Sequence, residues 1–253
     1  LPAKMAPSSG FQSDAQSVLK EANDNAIMSL ATSADGKWVA VSGWGDGNVS
    51  VFNLQTKEEV RVPAGVGFAQ VAFSPREPLL AIEIPKAPMV SRPATSAGVV
   101  APPANAVLLW DLNTRQVVRE VAIAGSCQGI SFAADGLTLA ISEVGSQNEV
   151  TLWRVADGSK VAGWSVGLAS SYWLPSFAVT DDLAVAATVT ESNKLRVVNL
   201  KTGQELWTAV ASDQAITALA FSPDGRMLAS GGAYADPVIR LWEVASGRDA
   251  SNL

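Results

Sequence analysis

The chain of 253 residues is 48% hydrophobic, 17% charged and 7% aromatic, proportions that suit a packed core and exclude a disordered chain. Its net charge of −6 and its scattered Lys and Arg provide no basic patch for nucleic acid or an anionic membrane. It contains no histidine, which removes histidine acid–base chemistry, Ser–His and Cys–His nucleophile pairs and histidine metal ligands.

In chain order, "LPAKMAPSSG" has no apolar signal core and does not begin with Met, so residues 1–15 read as an extension or linker with a trimmed start. Residues 15–30 have a helix-forming composition. Set against "GQELWTAVASDQAITAL" (203–219), however, they read as an outer strand at 17–22 leading into an inner strand. "NVSVFNL" (48–54) is then the first of five related segments, followed by "AVLLWDL" (106–112), "EVTLWRV" (149–155), "KLRVVNL" (194–200) and "VIRLWEV" (238–244). Their second residues are 58, 43, 45 and 44 positions apart. Upstream of each lies a tight-turn signal: "ADGK" (34–37), "PREP" (75–78), "ADGL" (134–137), "TDDL" (180–183) and "PDGR" (223–226). Downstream lies another, as in "NTRQVV" (113–118) and "KTGQEL" (201–206). Three marks recurring in one order five times define an internal repeat.

Each unit reads as four short strands, a to d. In the last copy, strand a is 215–222, Asp224-Gly225 turns the chain, and strands b and c are 226–232 and 238–244. The inner strands are apolar almost throughout, as in sheets covered on both faces. The longest apolar run, "LAVAATV" (183–189), is strand-sized and too short to span a membrane. The expected fold is all-β: a β-propeller of four-stranded antiparallel blades at about 16–62, 63–122, 123–165, 166–210 and 211–253. Cys127 has no partner for an internal disulfide and reads as a small buried hydrophobe in an inner strand, with Trp173 aligned to it.

"FSPDGRMLASGG" followed by "VIRLWEV" resembles the WD-repeat family of β-propellers, and the resemblance covers roughly residues 16–250. Trp110-Asp111 is the family's Trp-Asp pair. Trp153-Arg154 and Trp242-Glu243 are close variants, and Phe52-Asn53 and Val198-Asn199 are weaker ones. Trp110, Trp153 and Trp242 share one strand-c slot and are therefore structural. The family's Gly-His pair is absent from every copy, so packing rather than a His-centred network is expected to hold the blades. The resemblance implies a protein-binding scaffold. It also implies closure by an N-terminal strand completing the last blade, which leaves two readings: a closed five-bladed ring or part of a larger propeller.

In such propellers the b–c and d–a loops share one face, usually the binding face. Copy two carries an insertion there, residues 85–104, with five of the chain's thirteen prolines and hence extended. Met89 and Arg92 are its candidate contacts. Trp44 and Asp46 in "GWGDGN", Tyr172, Glu191, Tyr234 and Asp236 complete the candidate partner-binding set. Asp46 and Asp236 match the family's b–c turn Asp without its His partner.

No phosphate loop, metal cluster or catalytic motif appears, and Asp181-Asp182 falls in a turn. Catalytic, cofactor and metal residues are therefore expected to be none. "KTGQELWT" (201–208) resembles the Gly-x-x-x-Trp signature of quinone-cofactor propeller dehydrogenases, but only once. The expected role is a non-catalytic scaffold for protein partners, without nucleic acid or membrane insertion, as a monomer or in a larger assembly. An accessory module of a larger enzyme is the alternative, with the quinone enzyme behind it. The Ala-rich, Cys-poor repeats suggest a bacterial source and a soluble protein, cytoplasmic ahead of periplasmic.

Overall fold

Short apolar runs separated by turns rich in Gly and Asp fold as successive hairpins. The computed structural model describes residues 27–43, 47–65, 69–84, 105–144, 148–165, 177–190, 194–212, 215–232 and 238–251. Blade 1 consists of β1 (Ile27–Thr32), β2 (Trp38–Gly43), β3 (Asn48–Asn53) and β4 (Glu59–Pro63). Blade 2 consists of β5 (Val71–Phe73), β6 (Leu79–Ile84), β7 (Ala106–Asp111) and β8 (Gln116–Ala122). Blade 3 holds β9 (Ser126–Phe132), β10 (Thr138–Val144), β11 (Glu149–Arg154) and β12 (Lys160–Ser165). Blade 4 holds β13 (Phe177–Val179), β14 (Val185–Val189), β15 (Leu195–Asn199) and β16 (Glu205–Ala209). Blade 5 has three strands, β17 (Ile216–Phe221), β18 (Met227–Gly232) and β19 (Ile239–Glu243). In each sheet the strands follow chain order and pair antiparallel, and no helix occurs among the described residues. The fourth-strand position of blade 5 is begun by residues 249–251: Asp249 bridges to Trp242 and the Ala250 N–H donates to Leu241 O at 2.7 Å. The N-terminal strand expected at 17–22 lies outside the described residues.

The five c–d turns are built alike. In each, the fifth residue donates its N–H to the carbonyl of the residue ending strand c, at 2.8–2.9 Å: Lys57 to Asn53, Arg115 to Asp111, Gly158 to Arg154, Gly203 to Asn199 and Gly247 to Glu243. All five donors have positive φ, glycines in blades 3 to 5 but Lys57 and Arg115 in blades 1 and 2. Where strand c ends in Asn53, Asp111 or Asn199, the side-chain Oδ1 accepts from the N–H groups two and three residues further on. Through this Asx turn the Asp of the Trp-Asp pair closes the hairpin. The a–b turns use Gly36, Gly136 and Gly225 at the left-handed position, but blade 4 places Leu183 there (φ 51°). Its side chain is buried against Ala133 and Ala140, and that burial opposes the backbone penalty.

One rule governs how the blades pack. The face turned to the next blade carries an alanine in strand b, Ala40, Ala81, Ala140 and Ala187, all buried. The face turned to the preceding blade carries bulk: Leu80 and Trp110 in blade 2, Leu139 and Trp153 in blade 3, Leu228 and Trp242 in blade 5. Apolar clusters therefore lie between successive blades: Ala40 meets Leu80 and Trp110, Ala81 meets Leu139 and Trp153, and Ala187 meets Leu228 and Trp242. Blade 4 carries smaller residues, Ala186 and Val198, and there Trp164 and Phe177 fill the seam. The innermost strands β1, β5, β9, β13 and β17 pack in series about the axis. No comparable packing joins β17 to β1 among the described residues.

The outer rim has its own joints. Arg115 pairs with Glu58 at 2.7 Å between blades 1 and 2. Arg119 lies over Gly158, Trp164 over Gly203 and Trp207 over Gly247. Trp207 also donates its indole N–H to Val244 O at 2.7 Å and stacks on Trp242 with ring centroids 6.0 Å apart.

These joints separate two classes of glycine. Gly36 has positive φ and open space around it, whereas a methyl on Gly203 would collide with Trp164. Gly36→Ala is expected to cost about 1 kcal/mol, and Gly203→Ala about 3 kcal/mol because overpacking adds to the backbone strain. Urea unfolding midpoints of the two variants measure the difference.

Candidate functional site

Because every blade is an antiparallel meander, the a–b and c–d turns lie at one end of the strands and the b–c and d–a loops at the other. Trp44, Asp46, Met89, Arg92, Tyr172, Glu191, Tyr234 and Asp236 belong by sequence to the second set. All eight lie outside the described residues, as do the insertion 85–104 and Trp173. The described residues form the base from which those loops spring.

That base is held by buried polar side chains near the ends of the b strands. Ser42 Oγ donates to Ala69 O at 2.5 Å and accepts the Ala69 N–H at 3.2 Å, fixing the loop that runs from blade 1 to blade 2. Glu83 sits in β6 with both carboxyl oxygens engaged. Oε2 accepts the Gln70 N–H at 3.1 Å and Oε1 the Cys127 N–H at 3.0 Å, so one side chain ties blade 2 to blade 3. Glu143 in β10 accepts the Ala124 N–H at 3.0 Å and the Gly125 N–H at 3.4 Å, and Thr151 donates to its other oxygen. Asn105 adds a bond from Nδ2 to Gly125 O at 2.7 Å, and Arg240 donates to Ala211 O in the loop entering blade 5.

The sequence alone points to packing as what holds the blades; the structure adds this carboxylate and hydroxyl network. Glu83 in "LLAIEI" and Glu143 in "TLAISEV" interrupt strands that are otherwise almost wholly apolar, and that interruption is the signal that marks them. A carboxyl there is tolerated because it satisfies loop N–H groups that would otherwise be buried without acceptors.

Burial sets the electrostatics of this layer. It pushes the Glu83 carboxyl up to about 7, against the opposing pull of the Gln70 and Cys127 N–H groups. Burial also drives the Cys127 thiol far above its ordinary range, and the neighbouring Glu83 and Glu143 charges add to the effect. The thiol is thus the buried hydrophobe expected from sequence.

Two cavities lie against the innermost strands among the described residues. One, of about 260 Å³, is lined by Gln70, Gln128, Ser131, Phe177 and Phe221 among others, with no ionisable side chain in its wall. The other, of about 300 Å³, lies toward the a–b turns between Phe73, Arg76 and Asp181. Arg76 there donates from Nε to Ala134 O at 3.1 Å, which joins turns of adjacent blades. Among the described residues no three His, Cys, Asp or Glu side chains converge to hold a metal ion, and no helix is long and apolar enough to cross a membrane. Trp207, the tryptophan of the Gly-x-x-x-Trp segment, acts as a joint between blades 4 and 5.

Five repeated antiparallel sheets packed in series about an axis define a β-propeller. Two family models match the sequence: the WD domain, G-beta repeat, over residues 15–53, and the Anaphase-promoting complex subunit 4 WD40 domain, over residues 176–253. No curated protein matches the chain. With these matches at both ends and the Trp-Asp turn geometry between them, the chain is a WD-repeat β-propeller.

Two outcomes follow from the buried layer. The folded state keeps the Glu83 proton up to about pH 7, whereas the unfolded chain releases it near 4.5, so stability falls as pH rises through that window. Glu83→Gln removes this contribution: between pH 5 and 8 the unfolding free energy of the parent should drop by about 2–3 kcal/mol relative to the variant. Urea titrations at the two pH values test it. Cys127 should resist thiol reagents in native protein and react on unfolding, as a colorimetric thiol titration would show.

Proposed function

We propose that this chain, like WD-repeat propellers generally, is a non-catalytic protein-interaction scaffold, and that it binds a protein partner through the face carrying its b–c and d–a loops. The observation that carries the reading is the fixed loop base. Ser42, Glu83 and Glu143 hold the d–a passages from beneath, so little ordering of the base remains to oppose binding. Trp44, Tyr172 and Tyr234 supply aromatic anchors, and Asp46, Glu191 and Asp236 supply acidic contacts around them. The insertion 85–104 contributes Met89 and Arg92, set among five prolines. One matching family model is named for a subunit of a multiprotein complex, a setting that suits a platform.

The test is quantitative affinity capture from cells of the source organism, comparing the parent with a deletion of 86–104 and with Trp44→Ala. Each change is expected to weaken capture of at least one partner by about tenfold. Asp224→Ala, on the opposite face, should leave capture unchanged. Equal retention of every partner by all variants would overturn the reading.

A further inference from the structure

Two of the five a–b turns depart from the repeat, and both departures are charged. In blades 1, 3, 4 and 5 the turn is closed by an aspartate, Asp35, Asp135, Asp182 or Asp224. Its Oδ1 accepts the N–H two residues further on, at 2.8–3.1 Å. Blade 2 places Arg76 at that position, and Ser74 Oγ closes the turn instead, accepting the Arg76 and Glu77 N–H groups at 3.4 and 3.1 Å. The preceding position holds Ala34, Pro75, Ala134 and Pro223 in four blades but Asp181 in blade 4. Asp182 already closes that turn, so the Asp181 carboxylate is left over. It makes no hydrogen bond or ion pair among the described residues.

Both departures border the same cavity, the one of about 300 Å³ at the a–b end of the strands. Arg76 is fixed at its edge. Its stem lies against Gly136 of blade 3, where a Cβ would stand 3.0 Å from the Arg76 Cβ, and its Nε donates to Ala134 O at 3.1 Å. Both terminal guanidinium nitrogens are left without a partner among the described residues. The same Ala134 donates its N–H to Asp181 O at 2.7 Å, so one residue sets the spacing of the two charged ones. Arg76 and Asp181 do not pair with each other, and Phe73, Pro75 and Phe132 supply apolar wall beside them.

We propose that this cavity binds a free apolar α-amino acid as its zwitterion. The carboxylate meets the terminal nitrogens of Arg76, the ammonium meets Asp181, and the side chain lies on Phe73 and Phe132. A guanidinium fork matches a carboxylate in plane and in donor spacing. Ligand pockets run upward from about 300 Å³, so this one suits a molecule of amino-acid size and not a nucleotide. The end of a peptide carries only one of the two charges and leaves the other group unmatched. The site lies at the turn end of the blades, opposite the loop face, so neither the deletion of 86–104 nor Trp44→Ala bears on it.

Isothermal titration calorimetry of the full chain with L-leucine, L-isoleucine, L-valine, L-methionine and L-phenylalanine tests the proposal. At least one is expected to bind one-to-one. Its N-acetyl and amide forms, each lacking one charge, and glycine, lacking the side chain, should bind about tenfold or more weaker. Arg76→Gln and Asp181→Asn should each weaken binding by a similar factor. Asp181→Asn breaks no contact within the chain, so it should also keep the parent Tm, which separates loss of the site from loss of the fold. Absence of binding by all five at millimolar concentration overturns the proposal. So does an N-acetyl or amide form that binds as tightly as its amino acid, or binding that Asp181→Asn leaves unchanged.

Discussion

The fold depends on an exchange of size between neighbouring blades. An alanine in strand b of one blade leaves a recess, and the next blade fills it with leucine and tryptophan. Neither face is stable in water alone, since each would leave a sheet of apolar side chains uncovered. Hydrogen bonds within a blade set its register, but burial between blades sets where the blade sits. The rim joints, from the Glu58–Arg115 pair to the Trp207–Gly247 contact, then fix the angle at which one blade meets the next.

That arrangement places a polar layer where the loops leave the core. Glu83 and Glu143 accept the N–H groups of Gln70, Ala124 and Gly125, in segments that have left one blade and not yet entered the next, and Glu83 also accepts that of Cys127 in β9. These segments would otherwise be the least constrained part of the molecule. With their N–H groups satisfied from beneath, these segments are tied to the apolar seams without a disulfide.

Much of this was legible in the sequence, for reasons that vary by element. The strand-c segments stood out because an apolar residue, Trp in three blades, fills the seam just before a polar residue that closes the turn; β7, read at 106–112, spans Ala106–Asp111. The glycine turns were legible because few other residues take a positive φ. Leu183, Lys57 and Arg115 take it too, and no local signal announces them, since tertiary packing or turn geometry overrides the backbone preference there. The acids of the loop base were visible but unread: an isolated Glu in an apolar strand shows that something must satisfy it, and only the fold shows which N–H groups do. The eight candidate contacts rest on the face assignment alone, because loop side chains carry no periodicity from which a position can be argued.

The one-sided packing of blade 5 has a consequence for motion. In a repeat array each unit draws its stability from its neighbours, so an inner blade is held from two sides and a terminal one from one. Among the described residues, opening of β17 to β19 disrupts a single seam, the one shared with blade 4, whereas opening of blade 3 disrupts two. Amide protons in the last blade should therefore exchange with solvent through a cheaper local opening than those of β10 or β11, although their hydrogen bonds within the sheet look the same. The array thus has a soft end and a hard middle, a gradient set by how many neighbours each blade has.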